Sequence, residues 1–175
     1  SNIVTEVDAN AHFAKTVEGY VPTIGVLLNL ESKSFLDVNR SLIPLFKKEI
    51  NHYLKSTGHF YEHVNIALYN TKGDALVAQE AMKSLKEQDV SIVVGPSTSV
   101  VAKEILPYAN ENEMILISPS STAISLAVPE DNLFRFVASD VAQAKALSKF
   151  IQNDKTINNL IMVYRDDLYG QDYFN

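Results

Sequence analysis

Cysteine is missing from all 175 residues. Thiol catalysis, thiolate metal sites and disulfide frameworks are therefore excluded. Compartment is not decided, because secreted and cytosolic proteins alike can lack the residue. A basic excess is missing too: 15 Lys+Arg stand against 21 Asp+Glu, a formal charge of −6. Phosphate surfaces normally rest on Lys/Arg excess, which argues against duplex DNA or an anionic membrane as a partner. The apolar runs are short. Ile24–Leu28 and Ile115–Ile117 are strand-sized, against the ~20 residues of a spanning helix. The polar start shows no basic region followed by an apolar run, and Ser1-Asn2 reads as a remnant of tag removal, so a missing leader does not fix location. What is present is ordinary for a folded domain, with 46% hydrophobic and 21% charged residues. A chain of this length buries roughly 70% of its unfolded surface and needs no disulfide or metal staple.

Two sequence periods alternate. Thr23–Leu28, Val64–Tyr69, Val90–Val94, Met114–Ile117, Phe134–Val137 and Leu160–Tyr164 are short apolar runs that predict six strands. Between them lie helical patterns. Leu42, Phe46, Ile50 and Leu54 share a stripe that stops at Gly58; Pro44 is tolerable there if Ser41 is the cap, and otherwise predicts a kink. Asp74 offers an N-cap for a helix with Val77, Ala81 and Leu85 on one face. A third helix opens near Ser97-Thr98 and meets Pro107 near its break. Asp140 with Gln143 resembles a capping box ahead of Ala144, Leu147 and Ile151. Apolar strands separated by helices predict an α/β fold: a doubly wound parallel sheet, flavodoxin-like, in the order 2-1-3-4 with later strands added. Leu160–Tyr164 either extends this sheet as a sixth strand or points into a second lobe.

Right-handed crossovers place every strand-to-helix loop on one edge, where open α/β sheets bind ligands. Two of these loops are dense in hydroxyls: Ser97, Thr98 and Ser99, then Ser118, Ser120, Ser121 and Thr122. Any one of them reads as a cap or turn former. Two such clusters at matching strand ends point to a carboxylate or other small anion. Phe35, Tyr69 and Tyr169 lie at the same edge as candidate walls for an organic ligand.

Sharper chemical motifs fare worse. His59-Phe-Tyr-Glu-His63 matches a zinc-protease pattern that needs both histidines on one helical face, yet it follows a helix stop and runs into a strand. No metal is expected. Gly95-Pro-Ser-Thr-Ser99 lacks the lysine and second glycine of a phosphate loop, and no Gly-x-Ser-x-Gly elbow occurs. Asp166-Asp167 reads as solvated loop carboxylates. No catalytic residue and no cofactor is assigned.

Val94-Gly-Pro-Ser-Thr-Ser99, Leu116-Ile-Ser-Pro-Ser-Ser-Thr122, Phe134-Arg135 with Asp140 and Gln143, and Tyr164-Arg-Asp-Asp167 with Tyr169-Gly170 occur in this order, with Pro107 in a helix between the first two. The series resembles the type I periplasmic binding proteins, particularly leucine/isoleucine/valine receptors of ABC transporters. The resemblance implies a non-enzymatic, extracytoplasmic (periplasmic or surface-anchored) receptor for an amino acid or similar small carboxylate. By the same resemblance Ser99, Ser120, Ser121 and Thr122 hold the ligand's charged groups, Phe35 covers it, and Tyr169 reaches it from a second lobe. It divides the chain into an extension over 1–21, a first lobe over 22–137 and the start of a second lobe over 138–175, where the chain stops. The implied partners are a small-molecule ligand, a transporter permease and, over the cut face, a homo-oligomer. A sensor module of a signalling protein and a free-standing flavodoxin-like enzyme are the alternatives.

Overall fold

Five of the six apolar runs form strands of one sheet in the computed structural model, which describes residues 21–32, 36–58 and 63–174. The strands are β1 Thr23–Leu28, β2 Asn65–Asn70, β3 Ile92–Val94, β4 Ile115–Ser118 and β5 Leu133–Arg135. Every pairing is parallel and the order is β2-β1-β3-β4-β5. The register sets Val26 between Leu68 and Val94, and brings Ser118 beside Arg135 at the carboxyl edge. The expected order 2-1-3-4 is therefore correct, with β5 added beyond β4.

Helices α1 Leu36–Ser56, α2 Ala75–Glu87, α3 Ser99–Glu111, α4 Asp140–Asn153 and α5 Leu168–Phe174 follow β1, β2, β3, β5 and the last loop, with a 3-10 turn at Ile124–Leu126. Asp74 caps α2 as its position predicts, its carboxylate accepting from Leu76 N at 2.8 Å and Val77 N at 3.1 Å. The apolar faces of α2 and α3 close over the sheet. Leu27, Met82, Leu85, Val93, Ile105, Met114 and Leu116 have no exposed surface, and each such side chain contributes about 1.5–3 kcal/mol by leaving water.

Four local expectations need correction. Helix α1 starts at Leu36, so Ser41 is not its cap and Pro44 sits in the interior with its ring exposed. Pro107 does not end α3, which runs on to Glu111; the amide of Gln79 donates to Glu104 O at 3.2 Å, beside the carbonyl that the proline cannot serve. Asp140 is not the cap of α4. Ser139 holds that place, without a side-chain bond, and Asp140 is the first helical residue, 2% exposed. Leu160–Tyr164 forms no strand and does not extend the sheet. Its five side chains are exposed, because an apolar run becomes a strand only where a neighbouring backbone supplies the ladder.

Candidate functional site

The carboxyl ends of β3 and β4 face a crevice of about 320 Å³. Its floor comes from the β3–α3 loop through Ser97, Thr98 and Ser99, and from the β4 loop through Ser120 and Thr122. Asp140 and Gln143 enter from the start of α4; Arg165 and Tyr169 close the far side. A larger hollow of about 530 Å³ lies along α4, lined mostly by residues of that helix's exposed surface, and shares only Asp140 with the crevice. Convergence of the strand-end loops, rather than size, marks the first as the candidate site.

Glycine builds the first loop. Gly95 has φ +109°, and a Cβ there would stand 2.3 Å from Leu27 O. The backbone of β1 thus passes too close for any side chain, and the chain turns directly into Ser97–Ser99. Thr98 is the N-cap of α3 but makes no side-chain cap bond. The first turn of α3 therefore keeps its N–H donors for the crevice.

The hydroxyls divide into two kinds. Ser118 Oγ lies 2.8 Å from Pro96 O and 2.7 Å from Ser121 Oγ, and accepts from Ser121 N at 3.1 Å. A carbonyl can only accept, so the single proton of Ser118 goes to Pro96 and Ser121 donates to Ser118. Ser118 and Ser121 are fully buried. They pin one loop to the other beneath the site, and Ser121 does not line the crevice, contrary to the expectation that it would. Ser120 donates to Ser97 O at 2.7 Å, which leaves its lone pairs open. Ser99 Oγ accepts from Ala123 N at 3.3 Å, which leaves its proton open. The Thr122 hydroxyl has no partner among the described residues and lines the wall.

Charge is distributed across the site. Asp140 is buried, and its Oδ2 has no hydrogen-bond partner among the described residues. Such an atom costs about 1–3 kcal/mol unless something donates to it. Across the crevice Arg165 pairs with Asp167, whose carboxylate also accepts from Gly170 N at 3.0 Å. A Cβ at Gly170 would stand 1.9 Å from Arg165 O, so the turn that delivers Tyr169 also requires glycine.

Of the residues predicted from sequence, Ser99, Ser120, Thr122 and Tyr169 meet at one crevice, Ser121 lies beneath it, and Phe35 is outside the described residues. Local pattern assigns Asp140 and Gln143 to a helix cap and gives Arg165 no role beyond opening the loop Arg165–Gly170, so none of the three is assigned to the site. The signal that could have found Asp140 and Gln143 is position, since both follow a strand at the carboxyl edge of the sheet, whereas Arg165 follows a run that forms no strand. Of the zinc-like motif, His59 and Glu62 lie outside the described residues and His63 is exposed; among the described residues no cluster of three or more metal-ligating side chains occurs.

Residues 49–175 match the family described as the receptor family ligand binding region. An uncharacterised protein of Methanocaldococcus jannaschii is 27% identical over 155 residues, covering 84% of this chain and 37% of its own length. An extracellular ligand-binding receptor from Rhodopseudomonas palustris HaA2 superposes with a TM-score of 0.74 at 20% identity, over 89% of this chain and 42% of its own. The branched-chain amino acid substrate-binding protein LivJ of Streptococcus pneumoniae, solved with isoleucine, superposes with a TM-score of 0.64 at 22% identity, over 77% of this chain and 39% of its own. The chain spans less than half the length of each.

Proposed function

This chain belongs to the family of receptor ligand binding regions, with the fold of a type I periplasmic binding protein lobe, and on that premise we propose that it holds a small zwitterionic ligand, an α-amino acid, for an extracytoplasmic ABC-transport receptor. The reading is of binding without chemistry. It assigns residues 22–137 to a first lobe, 138–175 to the start of a second, and the preceding 1–21 to an extension.

One observation carries it: the crevice offers both open donors and open acceptors. The open first turn of α3 and the Ser99 proton suit a carboxylate. Asp140 Oδ2, without a partner among the described residues, and the lone pairs of Ser120 suit an ammonium group. Thr122, which can give or accept, lines the same crevice, and Tyr169 supplies a wall. A permease partner and an extracytoplasmic location belong to the same proposal.

The test is an NMR titration of the 175-residue chain, which reads weak binding, with L-leucine and with 4-methylpentanoate, its analogue without the ammonium group. Hydrogen bonds between charged groups contribute about 1.5–3 kcal/mol, so Asp140→Asn should weaken leucine binding by about tenfold to a hundredfold. The analogue should bind wild type and variant alike. Equal affinity of the wild type for leucine and the analogue would remove Asp140 from the site and the zwitterion from the proposal.

A further inference from the structure

We infer that Arg135 is a positioning residue, whose guanidinium holds the backbone of the Ser121–Ala123 loop in the shape that presents Thr122 to the crevice. Arg135 ends β5 and pairs in register with Ser118, the last residue of β4, where that loop begins. From this place its Nη1 donates to Ala123 O at 2.8 Å and, more weakly, to Ser121 O at 3.4 Å. In an extended stretch alternate residues share a side, so one nitrogen reaches both carbonyls. The carbonyl between them, Thr122 O, accepts instead from Asp140 N at 3.2 Å. Ala123 N, in turn, donates to Ser99 Oγ at 3.3 Å.

Three successive carbonyls of the loop are thus taken by the connection from β5 into α4. The loop, the strand end and the first residue of α4 form one unit, and that unit also sets where Asp140 stands. Bonds from a charged donor are roughly twice as strong as neutral ones, and Nη1 carries two N–H groups, one for each carbonyl. Arg135 lines no part of the crevice, so its effect on a ligand passes through Thr122 and Asp140. That consequence rests on the crevice being the ligand site.

The experiment compares wild type with Arg135→Met by amide hydrogen exchange, and then by L-leucine titration. Exchange at Ala123 and Asp140 should quicken by about tenfold or more, while Met114 and Leu116, whose amides are bonded elsewhere, keep their rates. Leucine should bind the variant about tenfold more weakly. A purely structural role would speed all four amides together, and that result, or unchanged rates at Ala123 and Asp140, overturns the inference. If leucine does not bind even the wild type, the ligand proposal fails while the exchange pattern still decides the role of Arg135. Should Arg135→Met not fold, Arg135→Gln, which removes the charge and shortens the reach, carries the same readouts.

Discussion

Removing the Thr122 hydroxyl takes away a group with no partner among the described residues; removing that of Ser121 takes one of three hydrogen bonds from the buried Ser118 Oγ, and removing that of Ser99 leaves the buried Ala123 N without its acceptor. Thr122→Ala should therefore weaken amino-acid binding by roughly tenfold and change stability by less than about 0.5 kcal/mol. Ser121→Ala should do the reverse. It strips a donor from Ser118 Oγ, at about 1 kcal/mol of stability, without touching the crevice. Ser99→Ala should do both, because Ala123 N loses its acceptor at about 1–3 kcal/mol. Chemical denaturation beside ligand titration separates the three; a stable Ser121→Ala chain with lost affinity would reverse the assignment. In the sequence these hydroxyls are equivalent. Ser-Ser-Thr at a strand end says that donors are present but not which face the ligand, because that depends on Pro96 O, a partner twenty-two residues away from Ser118. Asp140 escapes a local reading for a related reason. An acidic residue followed by Gln143 is locally a good cap, and only the packing of α4 against the Thr122 loop buries its carboxylate.

At the scale of elements, the strand and helix patterns are legible because strands of a parallel sheet are short, nearly uninterrupted apolar runs while the helices between them carry an apolar stripe. Element ends are legible where one residue dictates the backbone. Asp74 is such a case, and Asp74→Ala should cost about 0.5–2 kcal/mol by freeing two N–H groups. Gly95 is another. Gly95→Ala forces a side chain into φ +109° and into Leu27 O at 2.3 Å, so β1 and β3 cannot both keep their places. A loss of about 1–3 kcal/mol or more is expected, read as a fall in melting temperature of roughly 2–4 °C per kcal/mol for a chain of this size. The affinity should fall with it, since the same glycine aims Ser97–Ser99. A Gly95→Ala chain that melts like wild type would mean that the β3–α3 loop has slack that the close approach denies. Where the pattern misleads, at Pro44 and Pro107, the helix continues through the proline, and in α3 the Gln79 amide bonds the Glu104 carbonyl beside the gap.

The molecule as a whole carries its apolar surface unevenly. One side of the sheet is sealed by α2 and α3, while Leu160–Tyr164 stands out in solvent, with Ile161 87% and Val163 93% exposed. The run has no charge and no proline, a composition with high strand propensity on a segment outside the sheet, which is a template for association. Sequence alone reads such a run as a strand. Whether it becomes one depends on a neighbour, and it joins none of the described strands. Two consequences follow for the 175-residue chain. Its sedimentation should depend on concentration, and it should bind an apolar dye, because exposed contiguous apolar surface favours both. Replacing Ile161 and Val163 by lysine should reduce association and dye binding together. Side chains this exposed support little of the core, so stability should stay within about 0.5 kcal/mol of the wild type. The net charge rises from −6 to −4 with the two lysines, so greater solubility cannot be credited to a larger overall charge. A companion pair at Phe134 and Phe136, 55% and 80% exposed, separates the patches. If lysine there, and not at Ile161 and Val163, abolishes association, the sticky surface belongs to the exit of β5 instead. Sedimentation velocity across a concentration series of all three chains reads the difference directly.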